Sequence, residues 1–241
     1  MCNRYPNIKQ LALKDVFAHA MKFCQKVDPQ AYKFIPKTYK LSDPEEMARF
    51  KKHQKKNPNT TFIAKPEDGG QGRGIALFKH LRELPYATQD SDIVVQRYLD
   101  KPLLLDGFKF DLRVYVVVTG FNPIQAYFYD EGLARFCTTK YRAPTKDNYS
   151  KTYMHLTNYS INKKNEDYVR PNEEEILDEN NATKRSLQSL YQTLAEKGID
   201  VDQVKENIVN TCKKTMEIYG PLIEQQVTNM TNELDVRGKP F

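Results

Sequence analysis

Short apolar, β-branched runs separated by polar, turn-forming stretches fill the middle of this chain, and apolar stripes at helical spacing mark its two ends. Leu11, Leu13, Val16, Phe17, Ala20, Met21 and Phe23 predict a helix from about Leu11 to Gln25, and Pro36 stops regular structure. Ser42 followed by Asp43, Pro44, Glu45 and Glu46 reads as a helix start, with Ser42 as N-cap and acids in the first turn, running to about Lys55. Thr60–Ala64 and Ile75–Phe78 read as two strands of a hairpin, and Ile93–Gln96 and Val114–Val118 as buried strands. Ile124–Tyr129 and Leu133–Thr138 predict a second hairpin, turning at Asp130-Glu131-Gly132. Residues 142–152 are expected to form a mobile loop, and residues 163–183, with Glu173, Glu174 and Glu175 in a row, an exposed excursion. Leu187, Leu190, Tyr191 and Leu194 form a helical stripe closed by Gly198; Asp200 or Asp202 can cap a last helix that presents Val204, Ile208, Cys212 and Tyr219.

Polar residues interrupt this pattern at telling places. Lys109, Asp111 and Arg113 alternate through an otherwise apolar strand, so they share one face of it. Burying such a row costs free energy unless something charged pairs with it, either an internal salt-bridge ladder or a bound ligand. Lys65 stands at the end of its strand, before a turn holding Gly69, Gly70, Gly72 and Gly74. Glycines let backbone N–H groups approach phosphate oxygens and Lys65 adds a cation, although a plain turn has the same signature. No Gly-Lys-Ser/Thr opens a helix here, and the His-Arg-Asp and Asp-Phe-Gly elements of protein kinases are missing. The run Met154–Asn162 carries Thr, Asn and Tyr tips suited to a cleft, while His155 reads as a core histidine.

The totals narrow the class. At 241 residues, 39% hydrophobic and 28% charged, with 12 Phe and 15 Tyr, the chain has the makeup of a folded globular protein, able to bury roughly 70–75% of its unfolded surface. One large domain or two lobes both fit. The N-terminal MCNRYPNIKQ has no apolar core and no run approaches the ~20 residues of a spanning helix, so no membrane or secretion signal is expected. Cys2, Cys24, Cys137 and Cys212 are widely spaced, which predicts reduced thiols in a cytosolic compartment. The net charge of +6 favours acidic partners, the cluster Lys51, Lys52, Lys55 and Lys56 being most simply a solvated basic face. No basic stripe with interleaved aromatics speaks for nucleic acid.

Four stretches in order, AKPEDGGQGRGI, VVQRYLDKPLLLDGFKFDLRVYV, EGLARFCTTKY and MHLTNYSIN, resemble the tubulin tyrosine ligase-like family, most closely its glutamate-adding branch. The resemblance implies an α+β, ATP-grasp-like fold of two lobes with mixed or antiparallel sheets and flanking helices. Residues 1–99 would hold an N-terminal segment and the central lobe with its glycine-rich loop, and residues 100–241 the C-terminal lobe. It implies a ligase that uses ATP and Mg2+ to activate a carboxylate as an acyl phosphate, which the amine of free glutamate attacks. Lys65 would hold ATP phosphates, and Gln71 and Gly72 would cover them. Gln96, Arg97, Tyr98 and Leu99 would form the hinge whose backbone reads adenine. Lys109, Phe110 and Asp111 would reach the nucleotide, with Thr157 and Asn158 as further contacts. Arg113 would bear on the transferred phosphate, and Arg135, Tyr159 and Lys184, with Gln71, on the incoming glutamate. Acidic tubulin C-terminal tails would be the partner, and the cytoskeleton, with cilium or basal body, the place.

The resemblance also has a gap. In the family a further strand carries an Asp and then a Glu-x-Asn pair that bind magnesium; this sequence reaches Val236–Phe241 before such a strand, and Glu233 and Asp235 stand on no apolar run. The expectation is therefore the middle of a ligase, incomplete at the C-terminus and with little of the N-terminal lobe. A catalytically incomplete module that binds nucleotide or tubulin, and a glycine-adding ligase of the same family, stay open beside the polyglutamylase.

Overall fold

Alternation sorts the central strands onto two four-stranded antiparallel sheets. The fold comes from a computed structural model and is described for residues 13–67, 70, 72–84, 92–121, 123–170 and 182–233. Leu11, Gln71, the turn glycine Gly69, Glu173–Glu175 and Asp235 lie outside these residues.

The first sheet has the order β1-β4-β2-β3, from β1 (Thr38–Lys40), β2 (Phe62–Pro66), β3 (Ala76–Phe78) and β4 (Ile93–Arg97). Tyr39, Phe62, Ala64, Phe78, Ile93 and Val95 point to one face, where Phe50 of α2 (Pro44–Lys56) covers them. Phe50 meets Phe62 edge-on at 4.9 Å between ring centroids. Both rings are fully buried, each worth roughly 1.5–3 kcal/mol in transfer free energy. The helix begins one residue later than expected: Asp43, not Ser42, accepts from the N–H groups of Glu45 at 2.8 Å and Glu46 at 3.1 Å. A carboxylate there satisfies orphan donors and also faces the positive helix end. The opposite face carries Ile63 and Leu77, packed with Tyr98 and Leu156.

The second sheet runs β5-β6-β7-β8, from β5 (Leu104–Leu105), β6 (Phe108–Phe121), β7 (Ile124–Phe136) and β8 (Lys184–Ser186). The expected turn at Asp130-Glu131-Gly132 does not form; β7 runs straight through it, and the connection lies between Phe121 and Ile124. Gly132 serves close packing instead. A Cβ there would stand 2.4 Å from the Arg113 carbonyl and 2.7 Å from Leu187, distances that a side chain cannot occupy without moving the strand. Leu187 opens α5 (Leu187–Glu196), whose apolar stripe of Leu187, Leu190, Tyr191 and Leu194 is buried as expected. Gly198, at φ +75°, closes it.

The chain forms two contact units. One gathers Pro36–Tyr115 and Asp130–Val201, which includes the first sheet, the proximal part of the β6–β7 hairpin, and the short helices α3 (Thr152–His155) and α4 (Tyr159–Asn162). The loop expected to be mobile is tied into this unit by the buried Asn148, which accepts from Thr145 N–H at 2.7 Å and donates to the Ala143 carbonyl at 2.9 Å. The other unit gathers Met1–Ile35, Val116–Tyr129 and Asp202–Phe241. There Phe17 of α1 (Lys14–Val27) stacks on Tyr219 of α6 (Val201–Glu233) at 5.9 Å. Gly220 lets Ile124 approach that helix, since a Cβ would meet its Cδ1 at 2.5 Å.

Candidate active site

The first sheet delivers one cation to its open face. Lys65 lies on the same face as Ile63, away from the Phe50 core, and its ammonium donates to Gln96 Oε1 at 2.8 Å. Gln96 in turn donates to Thr38 Oγ1 at 2.9 Å, and that hydroxyl donates to the Pro36 carbonyl, so a hydrogen-bonded file crosses β2, β4 and β1. The strand after the glycine-rich turn returns beside it: β3 pairs with β2 through Ala64 and Ala76. Gly72, at φ +81°, is held against α4; an added Cβ would meet Ile161 Cδ1 at 2.5 Å and Asn158 Cγ at 3.2 Å. Gly72 thus rests on Asn158 and Ile161. Among the described residues neither the Thr157 hydroxyl nor the Asn158 carboxamide has a hydrogen-bond partner. Gln71 falls outside the described residues.

The segment expected to form the hinge, residues 96–99, is partly committed to the sheet. Arg97 N–H donates to the Lys37 carbonyl at 2.8 Å and Tyr98 N–H to the Thr61 carbonyl at 2.9 Å, whereas Leu99 is exposed. Tyr98 turns its ring inward, where its hydroxyl meets His155 Nδ1 at 3.1 Å and accepts from the Lys109 ammonium at 2.9 Å. Burial raises the Tyr98 pKa well above the usual phenol range. Lys109 also donates to the His155 carbonyl at 2.9 Å, and burial lowers its pKa, opposed by the charge of Asp111. His155 is 1% exposed, and burial, then the Lys109 charge, pulls its pKa down to about 4, so it is neutral. Its Nε2 lies 3.2 Å from Asn148 Oδ1; that oxygen only accepts, so Nε2 carries the proton and Nδ1 takes the Tyr98 hydroxyl proton. His155 is thus a core histidine, as its sequence position suggested.

Lys109, Asp111 and Arg113 do share one face of β6. Cys137 N–H donates to the Lys109 carbonyl at 2.8 Å, which by antiparallel counting sets Asp111 opposite Arg135. Arg135 grips that carboxylate as a fork, Nε to Oδ1 at 2.9 Å and its terminal amine to Oδ2, and this bond raises the Arg135 pKa. Arg135 lies opposite Lys184 of β8, so acid, cation, cation follow across three strands. Arg113, one step further out, is exposed and has no ion pair or hydrogen bond among the described residues. Arg135, Thr157, Tyr159 and Lys184 line one narrow crevice together with Asn162. Phe110 projects to the reverse face and packs on Phe136 at 5.3 Å.

A family model for the tubulin-tyrosine ligase family matches residues 1–237. The chain belongs to that family. Its two antiparallel sheets with flanking helices are an α+β, ATP-grasp-like arrangement. Among its relatives, Tubulin polyglutamylase ttll6 of Danio rerio is 36% identical over 92% of this chain and 27% of its own length. Tubulin polyglutamylase TTLL7 of Xenopus tropicalis is 37% identical over 91% of this chain and 23% of its own. A probable beta-tubulin polyglutamylase of Tetrahymena thermophila is 41% identical over 89% and 18%. The chain therefore spans about a quarter of the length of the curated relatives it matches.

Sequence reasoning missed the residues that hold the candidate site together. Asn162, 1% exposed, accepts from Thr138 N–H and Oγ1, each at 3.0 Å, and donates to the carbonyls of Leu156 at 2.7 Å and Asn158 at 3.1 Å. All four of its hydrogen-bonding positions are used to fix the Thr157–Asn158 segment against the end of β7. Asn148 does the same for His155. A buried Asn in a polar run carries no periodic signal, so only its place in MHLTNYSIN hinted at Asn162.

Proposed function

We propose that this chain is the core of a tubulin polyglutamylase, an ATP-dependent ligase that joins free glutamate to glutamate side chains on acidic tubulin C-terminal tails. The observation that carries the reading is the pairing of Arg135 and Lys184 in one crevice with Thr157 and Tyr159, with Arg113 exposed further along the face of β6 that carries Asp111. Such a face suits two anions in turn, a phosphoryl group and the carboxylates of an amino acid. ATP, when bound, supplies the phosphoryl group that turns an acceptor carboxylate into an acyl phosphate. Lys65 and the Gly72 turn suit its phosphates, Leu99 its adenine, and the free tips of Thr157 and Asn158 its polar edge. Arg113 neutralises charge as it builds on the acyl phosphate. Arg135, held in orientation by Asp111, and Lys184 would grip the carboxylates of the incoming glutamate and bring its amine to the acyl carbon, where the amide bond forms as the C–O bond to phosphate breaks and inorganic phosphate leaves, ADP having been released by the phosphoryl transfer. Lys109 acts from within the core, its field reaching the site while Tyr98 and the His155 carbonyl hold it. Among the described residues no three His, Cys, Asp or Glu side chains come together for a metal ion, so no step is assigned to magnesium. The basic balance of +6 fits an acidic, cytoskeletal partner.

The test is intact-mass spectrometry of tubulin tails after incubation of the chain with microtubules, Mg-ATP and a mixture of glutamate, glycine and tyrosine. Ladders spaced by one glutamate residue are expected. Glycine ladders would move the chain to a related branch, and no mass shift while ATP still binds would leave a binding module.

A further inference from the structure

Six exposed cations lie on the reverse side of the first sheet from Lys65. On α2, Lys51, Lys52, Lys55 and Lys56 are all exposed, and at 100° per residue they sweep about 140° of its circumference. Phe50, outside that arc, is the residue that anchors the helix to the sheet. Lys37 and Arg97 emerge from adjacent strand ends on the same side, joined by Arg97 N–H to the Lys37 carbonyl at 2.8 Å. Their charges reach the flank of α2: after burial, Lys37 and Arg97 are what lower the pKa of His53. Among the described residues none of the six has an ion pair or side-chain hydrogen bond. The acids of this helix, Glu45 and Glu46, are spent at its other end on Arg49, at 3.2 and 3.0 Å.

Lys51 with Lys55 and Lys52 with Lys56 repel by a few tenths of a kcal/mol per pair, while the negative helix end favours Lys55 and Lys56 in the last turn, so the ridge keeps its charge on display at little net cost. The ridge ends at a cavity of about 280 Å³ beside one acid, Asp100, into which Asn59, Thr60 and Arg97 bring amide, hydroxyl and guanidinium donors, while Asn57 donates to the His53 carbonyl at 3.1 Å and Thr61 is bonded to Tyr149. That donor set suits carboxylates. No aromatic residue stands on the exposed arc of α2, where a nucleic acid would need stacking partners.

We propose that the outer face of α2, with the adjoining ends of β1 and β4 and this cavity, is a docking surface for an acidic polypeptide. Its lysines stand on the opposite face of the first sheet from Lys65, and the cavity at its end reaches round to Thr61 and Tyr98. Under the ligase reading, on which the partner's identity rests, it grips the acceptor protein while another part of that protein is modified. Removing the four lysines of α2 weakens capture and leaves Lys65 and the Gln96–Leu99 segment in place.

The experiment compares the wild-type chain with a Lys51→Glu, Lys52→Glu, Lys55→Glu, Lys56→Glu variant for binding a fluorescent glutamate-rich peptide at low and physiological salt. The expected result is at least ~10-fold weaker binding and a flatter salt dependence in the variant. The four lysines changed to glutamine give an intermediate loss, and this second variant decides the matter if charge reversal disturbs the fold. Equal affinity of wild type and the glutamine variant would overturn the proposal. So would a single-stranded RNA that binds more tightly than the peptide and is lost on substitution, since nucleic acid would then be the occupant. The peptide comparison is read without turnover, so a failed mass ladder would sink the ligase reading and leave this result to stand by itself.

Discussion

Lys109 and Arg113 lie four residues apart on one face of one strand, yet their surroundings differ completely. Lys109 is clamped by the Tyr98 hydroxyl and the His155 carbonyl, with its ammonium 4.4 Å above the Tyr98 ring. Behind it the chain of hydrogen bonds runs through His155 to Asn148 and closes on the backbone. Arg113 meets solvent and has no partner among the described residues. The alternatives of an internal ladder and a ligand site thus divide the row between them. Its inner end is a satisfied polar network and its outer end is open charge, with Asp111 and Arg135 paired in between. A closed network contributes to stability and specifies geometry, whereas open charge contributes little to folding and is available for binding.

The strongest way to break this contrast is at the closed end. His155→Ala removes a fully buried ring and leaves the Tyr98 hydroxyl and Asn148 without their partner, so unfolding free energy should fall by about 4 kcal/mol. A lower urea midpoint at unchanged slope is the signature. Arg113→Ala makes the opposite prediction. Ligation should fall about 100-fold, close to ~3 kcal/mol of transition-state stabilisation, while stability stays within about 0.5 kcal/mol. If Arg113→Ala instead lowered the urea midpoint as His155→Ala does, the two ends would be alike and the open-charge reading would be lost.

Proton linkage tests the closed end without mutation. The folded pKa of His155 lies at about 4, below the ordinary histidine value of 6.5. Between those values the unfolded chain binds a proton that the folded chain refuses, so stability rises with pH through that window and is flat above it. Lowering the pH from 7 to 4.5 should cost about 2 kcal/mol, at roughly 1.4 kcal/mol per unit for one proton. His53 is lowered by the same cause and adds with the same sign. A chain equally stable to urea at pH 7 and 4.5 would mean that His155 is protonated in place.

Much of this was legible in the sequence because it rests on periodicity. The alternation that put Lys109, Asp111 and Arg113 on one face holds along β6, and the stripe of α5 is buried where spacing placed it. The Asp130-Glu131-Gly132 turn was misread because a glycine needed for close approach looks the same as one needed for a bend. Only Leu187 and the Arg113 carbonyl, far away in sequence, distinguish them. Asp43 displaced Ser42 for a local reason, a choice between two adjacent capping residues. Asn148 and Asn162 were invisible as organisers, since their role consists of three and four side-chain hydrogen bonds, respectively, that no spacing rule encodes. The pairing of Asp111 with Arg135 follows from strand register, which short motifs do not fix.

The smallest expected effect sharpens the contrast most, because Lys65 stands between the two cases. Like Lys109 it has a neutral acceptor, Gln96 at 2.8 Å, but that acceptor lies on the sheet's second face, on the side where Gly72 rests against Asn158. Gln96 keeps its own bond to Thr38 whether or not Lys65 is present. Removing the ammonium takes the donor from Gln96 Oε1, but Gln96 is only half-buried and water can take that place, so Lys65→Ala should change stability by less than about 1 kcal/mol. ATP binding, measured by calorimetry, should weaken about tenfold or more, close to ~1.5 kcal/mol for one charge-assisted bond. Unchanged ATP affinity together with a loss of stability would place Lys65 with Lys109 as a structural cation. The phosphate reading would then rest on the glycine turn alone, too common a feature to carry it.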